Sequence, residues 1–147
     1  MDQTDFAELL RSCAEVVELC PQGAVFIGGI AVYLHVINVS GTETLAATTH
    51  DADLFISLAD MADLRDVEEI TPNRRLNRGQ MIKRGFKFDL YVERQSNLIV
   101  PYDAIISHAN SYPRFHVASL EHLWVLKLEA FADRRHSVKG EKDAQDL

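Results

Sequence analysis

Apolar positions along the chain repeat with two different periods. Phe6, Leu9, Leu10, Cys13, Val16 and Val17 recur at helical intervals and predict an amphipathic helix over 5–19. Thr4 or Asp5 offers its N-cap, and Pro21 and Gly23 end it. Ala24-Val25-Phe26-Ile27 reads as a short buried strand, followed by Gly28-Gly29 and a helix over 30–37. Residues 38–48 are small and polar, include Gly41, and read as a loop. A strand over 49–56 follows, then a mostly polar helix over 60–70 carrying Met61, Leu64 and Val67 and broken by Pro72 and Asn73. Two strands over 75–83 and 86–92 meet at a turn, Arg84-Gly85. A short helix over 101–109 and a strand over 114–118 lead to Ser119, a good N-cap for a last helix over 120–132. Leu120, Leu123, Trp124 and Phe131 form its apolar stripe, with Lys127 at the centre.

The stretch Thr49-His50-Asp51-Ala52-Asp53-Leu54-Phe55-Ile56 departs from simple alternation. Asp51 and Asp53 share one face, about 7 Å apart at the rise of an extended chain. Beyond them the run is nearly all apolar, as in a strand covered on both sides. Two like charges this close repel unless a cation lies between them, and hard divalent ions take carboxylate oxygens while sharing their shell with phosphate. A solvated strand end is the competing reading. Asp89 interrupts the strand Lys87-Phe88-Asp89-Leu90-Tyr91-Val92, where a buried carboxylate needs a cation or a base as partner. Its alternative is the wet side of a half-exposed strand. Gly28-Gly29, between strand and helix, allows close backbone approach and offers free N–H groups to a phosphate. It serves equally as a tight turn. Lys127 either snorkels to the core edge or points inward at an anion.

Composition narrows the class. A chain of 147 residues with 47% hydrophobic and 25% charged residues suits one domain with a sizeable core. No apolar run approaches the roughly 20 residues of a membrane span. The acidic start, Met1-Asp2-Gln3-Thr4-Asp5, lacks a signal-peptide pattern, so a cytoplasmic protein is expected. Cys13 and Cys20 read as reduced helix-face residues. The net charge of −7 is unevenly spread: residues 1–70 carry −11 and residues 71–147 carry +4, with seven bases between Arg74 and Arg94. A basic half facing an acidic pair suits a phosphate-rich substrate beside a metal. The balance is not that of a duplex-DNA binder.

Three groups of residues, in this order, resemble the nucleotidyltransferase superfamily related to DNA polymerase beta, and more closely its AbiEii-type branch of toxin-like enzymes. They are Gly28-Gly29 before Thr49-x-Asp51-x-Asp53; Asp89 on a later strand; and Ala118-Ser119-Leu120-Glu121-His122-Leu123 with Lys127-Leu128-x-Ala130, an Arg at 134 or 135, and Lys142-Asp143-x-x-Asp146-Leu147. Relatives often carry an Arg where this chain has Ala47. The resemblance implies an α+β fold, a small mixed sheet flanked by helices. It forms one domain over 1–147, with a catalytic sheet core over 1–100 and a C-terminal helical segment over 101–147. Asp51, Asp53 and Asp89 would hold Mg²⁺, with Mn²⁺ as a substitute. Gly28, Gly29 and Lys127 would contact the triphosphate of an NTP, with Asp143 near it. The implied reaction moves NMP from an NTP to a hydroxyl of RNA or tRNA, a protein or a small molecule. The resemblance also implies an antitoxin partner. A nucleotide- or partner-binding domain without the reaction is the second reading, and a metal-dependent phosphohydrolase the third.

Overall fold

The computed structural model describes residues 3–40, 51–75, 77–96, 98–112 and 115–134. Helix α1 (Gln3–Glu18) buries Phe6, Leu9, Cys13 and Val16, the stripe its periodicity predicts. Strand β1 (Val25–Ile27) runs directly into α2 (Gly28–Ser40), so the two glycines belong to the first turn of that helix rather than to a linker before it. Strand β2 (Asp51–Ile56) leads to α3 (Leu58–Val67) through Ser57, whose hydroxyl accepts from the amide of Asp60 as an N-cap. Of the residues expected to anchor α3, Met61 and Leu64 are buried but Val67 is exposed. The helix ends before Pro72, which lies in an unforeseen strand β3 (Thr71–Asn73). As the outermost strand of the sheet, β3 tolerates a residue without an amide proton.

Strands β4 (Arg78–Lys83) and β5 (Phe86–Val92) form the expected hairpin. Arg84 and Gly85 both have positive φ, +53° and +83°, the pattern of a type I′ two-residue turn. Arg84 also reaches back to α1, pairing with Glu15 at 2.5 Å and with Glu8 at 3.9 Å. Helix α4 (Tyr102–Ser107), strands β6 (Asn110–Ser111) and β7 (His116–Val117) and helix α5 (Leu120–Arg134) complete the described chain.

The result is an α+β architecture: one seven-stranded mixed sheet in the order β3-β4-β5-β2-β1-β7-β6, flanked by helices. The pairs β2–β5 and β1–β7 are parallel and the rest antiparallel. The two faces of its centre differ. Ala52, Leu54 and Ile56 of β2 and Phe88, Leu90 and Val92 of β5 are all buried on one face. The other face of the same strands carries Asp51, Asp53 and Phe55 beside Lys87, Asp89 and Tyr91.

Ser119 caps α5 by accepting from the amide of His122. The apolar stripe of that helix is only partly turned inward, however. Leu123 is buried, while Leu120, Trp124 and Leu128 are exposed at 60%, 49% and 42%. The helix packs against α2, with Leu123 in the core and Val125 and Leu126 partly buried against it. A polar clamp ties the same region together. Buried His35 of α2 lies 2.7 Å from the carbonyl oxygen of Ala118 through Nε2 and 2.7 Å from the hydroxyl of Tyr112 through Nδ1. A carbonyl only accepts, so Nε2 carries the proton it donates. Replacing His35 with Leu strands both partners, and a buried unsatisfied group costs about 1–3 kcal/mol. Urea unfolding should show a loss of that size; a loss below about 0.5 kcal/mol would mean that water satisfies both groups.

Candidate active site

The carboxylates that stand out in the sequence meet because β2 and β5 pair in parallel with Asp53 opposite Asp89. Asp89 is buried with 6% of its surface exposed, which excludes the wet-strand reading. Asp53 is half-buried beside it. Burial, the neighbouring Asp89 charge and a hydrogen bond between the two carboxyls push Asp53 up to about 7; Asp51 adds to the rise and Arg78 opposes it. Asp53 therefore tends to hold its proton near neutrality, which spares it a second negative charge facing Asp89.

Gly28 closes the site from the side of β1. Its φ of +72° lies in the left-handed region, and a Cβ there would fall on Oδ2 of Asp53 and within 3.2 Å of its carboxyl carbon. The backbone at the start of α2 is thus pressed against the Asp53 carboxylate. Gly29 is different: exposed, with nothing within 4 Å of an added Cβ. The start of α2 brings unpaired amide groups to the same end of the sheet.

Three side chains that the sequence reading did not single out converge on Oδ1 of Asp89. Nε2 of Gln80 donates to it at 3.2 Å, Nε of Arg78 lies 3.5 Å away and Nζ of Lys87 3.8 Å away. Arg78 is itself anchored by Nη1, which donates to the Tyr91 hydroxyl at 2.6 Å, and its guanidinium lies 5.5 Å from the centre of the Tyr91 ring. Burial and the Asp53 charge raise the Tyr91 pKa, so its hydroxyl stays protonated.

The predicted residues are only partly assembled. Gly28, Asp53 and Asp89 lie together with Gly29 at the rim, while Asp51 is exposed and opposite Lys87. Lys127 is half-buried and partnered on α5, which packs against α2. Asp143 lies outside the described residues, as do His50 and the motif ending in Leu147. Among the described residues no three Asp, Glu, His or Cys side chains stand close enough to hold one metal ion. Asp53 and Asp89 fit a divalent cation by their chemistry, two facing carboxyls whose mutual repulsion a cation would relieve; Asp51 would have to turn in to complete the set.

No family model matches the chain. No curated protein matches it either. Among solved structures, the chain is similar to TM1012 of Thermotoga maritima, described as a "putative nucleotidyltransferase", with a TM-score of 0.60 over 92% of this chain and 91% of that one. At 14% identity the similarity establishes a shared fold. The chain thus has the nucleotidyltransferase-like fold that its motifs imply. No helix among the described residues is long and apolar enough to cross a membrane.

Proposed function

We propose that this protein is a nucleotidyltransferase that uses a divalent cation, Mg²⁺ or Mn²⁺, to transfer NMP from an NTP to a hydroxyl acceptor. The observation that carries the proposal is the Asp53–Asp89 carboxyl pair under the backbone of Gly28, where a strand passes directly into a helix. The acceptor oxygen attacks the α-phosphorus, the bond to the β-phosphate oxygen breaks, and pyrophosphate leaves. A bound cation would screen the phosphate charge and align the attacking and leaving oxygens. The chain itself supplies amides at the start of α2 for the phosphates, with Lys127 as a further phosphate contact. Asp89 is the group placed to take the acceptor proton. The AbiEii-type assignment, a toxin role with an antitoxin partner, a cytoplasmic site of action and an RNA, tRNA or protein acceptor belong to this reading through the sequence motifs. The second reading, a nucleotide-binding domain without the reaction, draws on the exposed and unconverged position of Asp51.

Incubating the protein with each of the four α-³²P-labelled NTPs, Mg²⁺ and total cellular RNA tests the proposal. Label on RNA or on protein, absent with Asp53→Asn, is the expected result. Calorimetry of NTP with Mg²⁺ but no label and no pyrophosphate release would favour the second reading. If the Asp51→Asn, Asp53→Asn double variant bound NTP and Mg²⁺ like the wild type, the site assignment would be wrong.

A further inference from the structure

Arg78 stands where a cation would be needed. It opens β4 with only 12% of its side chain exposed, and its Nε approaches the same Asp89 oxygen that Gln80 holds. Lys87, the other cation near that oxygen, is 43% exposed, so water and salt screen it far more. That 3.5 Å approach is an ion pair and not a hydrogen bond, and the buried Nε has no hydrogen-bond partner. A guanidinium that neutralises a carboxylate while leaving a buried donor unused is incompletely satisfied where it lies.

We infer that Arg78 is an internal counter-ion that competes with the divalent cation for Asp89, and that it exchanges Asp89 for a phosphate oxygen of the nucleotide when the cation arrives. The inference rests on the proposed nucleotidyltransferase site. In the structure Arg78 holds Asp89 on the side of β4 while Asp51 stays outside, so the three carboxylates do not converge. A bare cation must displace a buried positive charge and leave it unpaired, which is costly. A cation that brings a triphosphate gives that charge a new anion, and a guanidinium matches phosphate geometry well. Arg78 thus makes the site selective for the cation–nucleotide complex over the free cation. Its role towards the metal is that of a positioning residue, acting through Asp89.

The test is binding of Mn²⁺ alone, and of Mn²⁺ with a non-hydrolysable NTP, to wild type, Arg78→Met and Arg78→Lys, followed by calorimetry and by the electron-spin signal of free Mn²⁺. A charge beside a carboxylate shifts its proton affinity by one to three orders of magnitude, so Arg78→Met should bind free Mn²⁺ at least about tenfold tighter than wild type. The same variant should gain little or nothing from added nucleotide, where wild type gains strongly. Arg78→Lys keeps the charge but loses the bidentate fork and the reach to Tyr91, and should fall between them. It also carries the test if the Met variant does not fold. Nucleotide-dependent Mn²⁺ binding in wild type, with free Mn²⁺ bound no tighter by either variant, would overturn the counter-ion role and leave the site standing. Failure of wild type and variants alike to bind Mn²⁺, with or without nucleotide, would remove the site and this inference together.

Discussion

Gly28→Ala is expected to damage both fold and site, while Gly29→Ala leaves the fold intact. The two glycines are adjacent in sequence and look alike there, yet they stand in different surroundings. At position 28 a side chain meets two penalties. The left-handed backbone, φ +72°, costs an L residue roughly 1–2 kcal/mol. The added Cβ also falls on the Asp53 carboxylate, and forced repacking costs about 1–3 kcal/mol more. Together they predict a loss of about 2–5 kcal/mol, with Asp53 displaced from Asp89. At position 29 nothing lies within 4 Å of the new methyl group. Urea melts of the two variants, beside calorimetry of NTP with Mn²⁺, separate the roles. Gly28→Ala should be destabilised and bind neither ligand. Gly29→Ala should melt like the wild type, and any loss of NTP binding there would place the phosphates against the exposed side of the turn. Equal stability of both variants would mean that the Gly28 backbone can move away from Asp53.

Much of this arrangement can be read from local patterns, and the rest depends on contacts between distant segments. Helix α1, the hairpin and the capping Ser119 are short-range features, set by periodicity and turn chemistry. Even the counter-ion was within reach. A two-residue turn at Arg84-Gly85 places Lys83 opposite Phe86, and counting outwards puts Gln80 opposite Asp89, the register observed. Alternation then carries Arg78 to the same face, beside Tyr91. The pairing of Asp53 with Asp89 could not be obtained by counting. It arises from a parallel contact between β2 and β5, which are separated by a helix and two strands. The stripe on α5 misled for a related reason. Helical periodicity marks the apolar side, but packing against α2 decides which side is covered, and it left Trp124 exposed. Strands β3 and β6, three and two residues long, are too short to show a period of their own.

The stability of the cation-free protein should fall as the pH rises from about 4 to 7, contrary to the usual behaviour of a carboxylate held by a cation. Asp53 has an ordinary value of 3.8 when unfolded and about 7 in the fold. Between those values the folded protein keeps a proton that the unfolded chain has lost, so each pH unit removes up to about 1.4 kcal/mol. The stabilising contribution is complete below the unfolded value and gone above the folded one. Glu15 acts at the acid end: its hydrogen bond with Arg84 lowers its pKa, so its contribution is complete above 4.5 and is lost as the pH falls below that value. The comparison is with Asp53→Asn, which shares every other titratable group with the wild type. Melting temperatures in EDTA from pH 5 to 8 should decline more steeply for wild type than for Asp53→Asn, and at pH 8 the variant should be the more stable of the two. Saturating Mg²⁺ favours the ionised pair, so it should flatten the wild-type decline and leave the variant nearly unchanged. Parallel curves in EDTA would mean that Asp53 is ionised in the fold across this range. The pair would then have to be held apart by Arg78 alone.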